Sequence, residues 1–293
     1  MQPADLNGYL HPNYAASFSE FGTPRYLPRC GGWILERQIP GTPYRDAMGC
    51  YPLFTCKDWS KLAEDVQELE GDLVSLALVT DPFGEFNPTS LEGIFKDRVI
   101  PFKEHFIVDL NQSITDFVCA HHRRNVKKAQ EKITVEVCEE PMDWIDKWVE
   151  LYSNLIVRHN IKGLTGFSVS TFIRQFQVPG IVVFRADYMG KPVGLLIWYT
   201  QNNIGYYHLS AIDDLGYASG ASFALFWYSI EYFSGSLRWL DLGAGQGVIV
   251  MGDGKDGLSR FKRGWSTGTR TVYFCGRILN KVRYEEIIQV KGI

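Results

Sequence analysis

The spacing of apolar positions changes period several times along the chain, and each change marks an element. Residues 1–31 carry Pro, Gly, Tyr and Asn without a sustained period, which predicts an irregular arm. Gly32–Ile39 and Gly49–Cys56 read as strands joined by a Pro/Gly turn region. Asp58 stands where a helix through Leu69 needs its cap, with Leu62, Val66 and Leu69 on one face. Leu73–Val79 is an apolar run of the kind buried on both faces of a sheet. A short helix over 90–95, a strand over 105–110 and a helix from Ser113 to Lys132 complete the first half.

Near Ile133 the pattern restarts and becomes more regular. Ile133–Cys138 is a strand, and behind Asp143 the residues Trp144, Ile145, Trp148, Val149 and Tyr152 recur with helical period. Ser168–Phe176 is a second helix. Ile181–Asp187, Val193–Thr200 and Ile204–Ser210 are strands joined by the hairpin turns Met189-Gly-Lys191 and Gln201-Asn-Asn203. A helix over Ser219–Phe233, a strand over Leu237–Leu242, a basic segment and a strand over Arg270–Gly276 follow. The expected class is mixed α+β, with mostly antiparallel sheet and flanking helices.

Composition narrows the picture. A hydrophobic content of 45% with 14% aromatics supplies an ample core, so a folded globular protein is expected. A net charge of −3 gives no whole-molecule attraction for a polyanion, and such a partner would need a local basic patch. Cys30, Cys50, Cys56, Cys119, Cys138 and Cys275 form no CxxC pair and no zinc spacing; several lie in apolar runs, as buried thiols do. No metal site is expected. With no signal-peptide pattern and no apolar run of the ~20 residues a membrane span needs, a soluble cytoplasmic protein is predicted.

Two stretches carry candidate chemistry. Trp239–Val248 is a strand running into glycines two residues apart, and Gly257–Trp265 is a short helix-like segment with Arg260, Lys262 and Arg263. Glycines at a strand end permit a sharp turn or close approach to a ligand, and the cations beyond point to an anion. Alone, Asp241-Leu-Gly-Ala-Gly-Gln-Gly247 looks like the S-adenosylmethionine loop of Rossmann-like methyltransferases. That loop follows the first strand of its sheet, whereas only 46 residues remain after Gly247. Asp253 and Asp256 follow no strand that could present a ribose-binding carboxylate. The methyltransferase is the lesser alternative.

Together the segments resemble the FemAB-like branch of the GNAT acyltransferase superfamily. The resemblance rests on Arg123-Arg-Asn-Val-Lys-Lys-Ala129, on Tyr206-Tyr-His-Leu-Ser-Ala211, and on Leu242-Gly-Ala-Gly245 with Gly257–Trp265; it covers residues 120–275. From Ile133 onward the order of elements is also that of a GNAT domain. The resemblance implies tandem GNAT-like domains, a degenerate one over 1–132 and an acyltransferase domain over 133–293. It implies transfer of an acyl or aminoacyl group to an amine, on a small molecule or a cell-wall precursor. Acyl-coenzyme A, such as acetyl-coenzyme A, and aminoacyl-tRNA are the implied donors, tRNA being a partner in the second case. A GNAT-fold binding protein without turnover is the alternative from outside the enzymes.

Within this scheme His208, alternating with Tyr206 and Ser210 on one strand face, is the expected general base. Tyr206 or its neighbour Tyr207 is the expected leaving-group acid, and Lys262 the expected catalytic cation. Gly216, Ser219, Gly220 and Ala221 form the turn that in GNAT domains cradles the pyrophosphate of coenzyme A. Here Asp213-Asp214 replaces the basic residue that often opens that turn. Arg123, Arg124, Lys127, Asp241, Arg260 and Arg263 are the expected substrate-binding set. The plainer readings are a solvated basic face for Arg123, Arg124 and Lys127, a half-buried histidine for His208, a surface helix end for Lys262 and Arg263, and a strand-end cap for Asp241.

Overall fold

The computed structural model describes residues 6–159, 166–245 and 257–291. The chain forms two compact units, one of Tyr9–Lys103 with Thr271–Ile293 and one of Leu6–Gly8 with Glu104–Arg270. These units divide the chain at other points than 132/133. Residues 120–129 pack with the second unit, and the last strand from Thr271 onward belongs with the last helix to the first.

In the first unit, β1 (Thr23–Leu27), β2 (Gly32–Gln38) and β3 (Arg45–Gly49) form an antiparallel meander. β4 (Ser75–Val79) joins β3 in parallel, and β11 (Gly268–Ile278) pairs antiparallel with β4 through Phe274–Ile278. Asp58 accepts from Ser60 N and starts the turn that leads into the helix Leu62–Glu68, whose Leu62 and Val66 are buried against Leu76, Leu78 and Cys275. The first residues are not an irregular arm: they contain a helix, Pro12–Ala16, and β1. Tyr14 and Phe18 are fully buried there, so the aromatics that looked like loop content are core. The strand expected over Gly49–Cys56 lies over Arg45–Gly49 instead. Pro52 has no N–H for a ladder, and only Phe54 bridges to Thr80. A final helix, Lys281–Lys291, has apolar residues without a one-sided period and gave no signal in the sequence.

In the second unit the strand order is β5 (Arg98–Asp109), β10 (Trp239–Ala244), β9 (Ile204–Ile212), β8 (Lys191–Gln201), β7 (Ile181–Tyr188) and β6 (Ile133–Cys138). β6 to β9 are antiparallel neighbours, β9 and β10 are parallel, and β10 and β5 antiparallel. Side chains alternate across this sheet. Trp198 packs on Phe226 and Phe233, whereas Tyr199 next to it donates from Oη to Gln175 O on the opposite face. The first face is covered by α5 (Ala120–Ala129) and α9 (Ala221–Phe233), and the second by α6 (Ile145–His159) and α7 (Val169–Phe176), where Trp148, Tyr152 and Phe172 pack together.

Two expected helices differ in their bounds. The one from Ser113 becomes α4 (Ile114–Phe117) and α5, because Val118 turns extended into the core and Cys119 N donates to Gly264 O. The one over 219–233 is found as α9, and the turn expected before it forms a further helix, α8 (Asp214–Ser219), set off from α9 by Gly220 at φ +82°, a left-handed conformation that glycine adopts without strain. No helix among the described residues is long and apolar enough to cross a membrane.

Candidate active site

β9 carries one residue more than its partner strand. Leu209 pairs with Ile197 and Tyr207 with Trp198, so His208 is the extra residue of a β-bulge. The bulge resets the alternation. Tyr207 and Ser210 come to one side, their hydroxyls 2.8 Å apart, and both line a cavity of about 320 Å³. Leu196 and Ile212 line it from the sheet, and Leu225 and Phe226 from α9. Tyr217 of α8, Gly220 and Leu258 of α10 (Gly257–Arg263) stand at its rim.

Lys262 enters this cavity from α10. It is 5% exposed, its Nζ donates to Ala244 O at 2.8 Å, and it lies 5.3 Å from the centroid of the Tyr207 ring. The helix is fixed by its aromatics. Phe261 packs edge-on to Phe226, and the fully buried Trp265 stacks on the same ring. His122 of α5 donates from Nε2 to Phe261 O at 2.8 Å, which leaves Nδ1 to accept from the Cys119 thiol at 3.2 Å. Burial lowers the pKa of His122 and keeps that neutral form.

Within β10, Asp241 is 2% exposed and accepts from His105 Nδ1 at 2.8 Å and from Gly243 N at 2.7 Å. Gly243, at φ +75°, lies within a register shift: Asp241 faces Ile107, but Ala244 faces His105. The Ala244 carbonyl that receives Lys262 thus sits at the far side of a bulge that Asp241 anchors.

The remaining expected residues are placed as follows. Tyr206 is 2% exposed and pairs with Asp241; His208 is 6% exposed, its ring edge-on to Tyr199 at 5.0 Å. Neither lines the cavity, and burial pushes the His208 pKa down to about 3. Gly216 N donates to Asp213 Oδ1, Ser219 Oγ to Leu215 O, and Ala221 is fully buried; of these four only Gly220 lines the cavity. Asp214 is paired with Arg158. Arg123 donates to Thr115 O and Val118 O at the end of α4, and Arg124 and Lys127 are exposed on α5. Arg260 is exposed, and the Arg263 guanidinium lies 5.8 Å from the Phe106 ring.

The structure therefore brings Lys262, Gly220 and Tyr207 together and holds His208 and Tyr206 away. His105, the partner of Asp241, carried no signal in the sequence. Gly247, Asp253 and Asp256 lie outside the described residues. Five of the six cysteines are buried and all are free; burial pushes the Cys50, Cys138 and Cys275 thiols up to about 12. Among the described residues no three His, Cys, Asp or Glu side chains converge as metal ligands.

No protein-family model and no curated protein matches the sequence. Among solved structures, FemX superposes with a TM-score of 0.72 over 98% of this chain and 98% of that one, at 12% identity. The chain has the FemX fold. The C-terminal domain of a putative lysylphosphatidylglycerol synthetase from Agrobacterium fabrum matches with a TM-score of 0.66 at 14% identity, over 94% of this chain and 90% of that one. L-PGS from Bacillus licheniformis matches with a TM-score of 0.60 at 15% identity, over 95% of each chain. At these identities the likeness is one of fold. It agrees with the mixed α+β class and with the FemAB-like resemblance of the motifs. The methyltransferase alternative falls with it, since β10 comes after β5 to β9 in its sheet instead of opening it.

Proposed function

We propose that this FemX-fold chain is a transferase that passes an acyl or aminoacyl group to an amine, with the donor's acyl end held in the cavity beside Tyr207 and Lys262. The observation that carries the reading is Lys262: a lysine 5% exposed, lining an otherwise mostly apolar cavity and lying over a tyrosine ring. Its Nζ is fixed by Ala244 O, so a donor is presented at a set point of the cavity wall. The names of two FemX-fold neighbours, FemX and a lysylphosphatidylglycerol synthetase domain, support the transferase class.

The chemistry is direct. A neutral amine attacks the donor carbonyl, forming a C–N bond, and the C–S or C–O bond to the leaving group breaks. Charge develops on the carbonyl oxygen, where Lys262 Nζ supplies a donor in a water-poor site. The proton lost by the amine passes to the leaving thiolate or alkoxide through Tyr207, whose hydroxyl is already bonded to Ser210. His208 takes no part in these steps. The acceptor is a primary amine, free or on a cell-wall precursor.

The test is mass-spectrometric detection of transfer to a panel of primary amines from acyl-coenzyme A and, separately, from a pool of charged tRNA. Transfer that Lys262→Met removes supports the reading. Binding of donors with no transfer to any amine would mark a ligand-binding protein instead.

A further inference from the structure

The character of the cavity restricts what it can hold. Leu196, Ile212, Leu225 and Phe226, each 5% exposed or less, line it from the sheet and α9, with Phe223 and Phe261 beside them. Among the described residues, its side-chain polar atoms are the hydroxyls of Tyr207, Tyr217, Ser210 and Ser222 and the Nζ of Lys262; no acidic side chain of these residues lines it, and Lys262 is their one cation. Tyr217 and Leu258 flank it with 46% and 53% of their surface exposed, so apolar surface continues to the rim. A mostly apolar site with one cation and a few hydroxyls at fixed places is built to orient one polar group and bury an apolar one.

We infer that the cavity selects a donor whose acyl group is large and apolar, with its carbonyl oxygen toward Lys262 and Tyr207 and its chain against Leu196, Leu225 and Phe226. The inference rests on the transferase reading of the same cavity and names its substrate class. The acyl group can come from a long-chain acyl thioester or from the ester of a bulky apolar amino acid; the chemistry recognised is the same. A lysyl group is disfavoured by the same walls, whose described residues offer its ammonium no carboxylate and already present the Lys262 Nζ.

Two calorimetric series test this. The first uses coenzyme A thioesters from acetyl to decanoyl. The second uses leucyl, phenylalanyl and lysyl amides of 3′-amino-3′-deoxyadenosine, which stand in for the aminoacyl end of tRNA. Each added methylene should tighten binding about three- to four-fold until the cavity is full. In the second series leucyl and phenylalanyl should exceed lysyl by at least about ten-fold. The series that binds identifies the source of the acyl group. Leu225→Trp should remove the gain with chain length; Ser222→Trp, at a less buried position, does the same if the first variant does not fold. Affinity independent of chain length, together with equal binding of lysyl and leucyl amides, would overturn the inference while leaving the transferase standing. Should neither series bind, decanoate is the probe. Decanoate binding that Leu225→Trp or Ser222→Trp abolishes upholds the apolar acyl site and removes the donor reading, and its absence overturns the inference as well.

Discussion

His105 Nδ1 lies 3.0 and 2.8 Å from the two carboxylate oxygens of Asp241, across the pairing of β5 with β10. Both side chains are less than a tenth exposed, and Asp241 also accepts from Gly243 N. The pair thereby anchors the bulge from which Ala244 O receives the Lys262 ammonium. A histidine 136 residues away in the chain helps to hold the cation of the site in place.

Removing that anchor should destabilise the fold. Asp241→Ala leaves a buried imidazole N–H and the Gly243 N–H without their acceptor, at roughly 1–3 kcal/mol for each such donor. Asp241→Asn keeps one oxygen and should cost less. Urea unfolding of both variants measures the difference; an unchanged midpoint in Asp241→Ala would show that the bulge holds without its carboxylate.

The buried His208 ties stability to acid. Its pKa is pushed from 6.5 to about 3 by burial, so between these values the unfolded chain binds a proton that the folded one does not. The stabilisation is complete above pH 6.5 and is lost as the pH falls. The loss should reach about 2–3 kcal/mol by pH 4.5. Unfolding of wild type and His208→Leu at pH 7, 5.5 and 4.5 should show a shallower decline in the variant, and equal slopes would contradict the assignment. His208→Gln should retain transfer.

This histidine also shows where the sequence stopped being informative. β6 to β9 were legible because alternation and hairpin turns agree, with Met189, Asn202 and Asn203 at the positive φ such turns require. A one-residue bulge leaves no mark in that alternation, so Tyr206, His208 and Ser210 read as one face, while the structure aligns Ser210 with Tyr207. The Arg123-Arg124 pair was equally opaque. Adjacent cations look alike in sequence, but Arg123 is tied to carbonyls at the end of α4 and Arg124 faces outward. Lys262 and Arg263 stood out together beside Phe261 and Trp265, and only the structure separates them, Lys262 being buried and Arg263 exposed.

Lys262→Met keeps the length and apolar stem of the side chain and removes the ammonium. Transfer should fall on the order of 10²–10³-fold, the usual effect of losing one preorganised oxyanion donor. The variant should still melt cooperatively by circular dichroism. Undiminished transfer would remove Lys262 from the chemistry.

Gly264→Ala tests how α10 is seated. A Cβ there would lie 2.5 Å from Cε1 and Nε2 of His122, a ring held by Phe261 O and packed against Trp265. Overpacking of this kind costs about 1–3 kcal/mol. The expected result is a lower thermal midpoint together with reduced transfer, because α10 carries Lys262. A wild-type midpoint would mean that the His122 ring can move aside.

The most direct measurement labels the site. The donor that supports transfer, synthesised with a photoreactive diazirine in its acyl chain, is irradiated with the protein and mapped by peptide mass spectrometry. Labels on Leu196, Leu225, Phe226 or Phe261, lost in Leu225→Trp, are the predicted result. Labels confined to other surfaces, such as the groove lined by Glu139, Glu140 and Pro179, would contradict the assignment of the donor site.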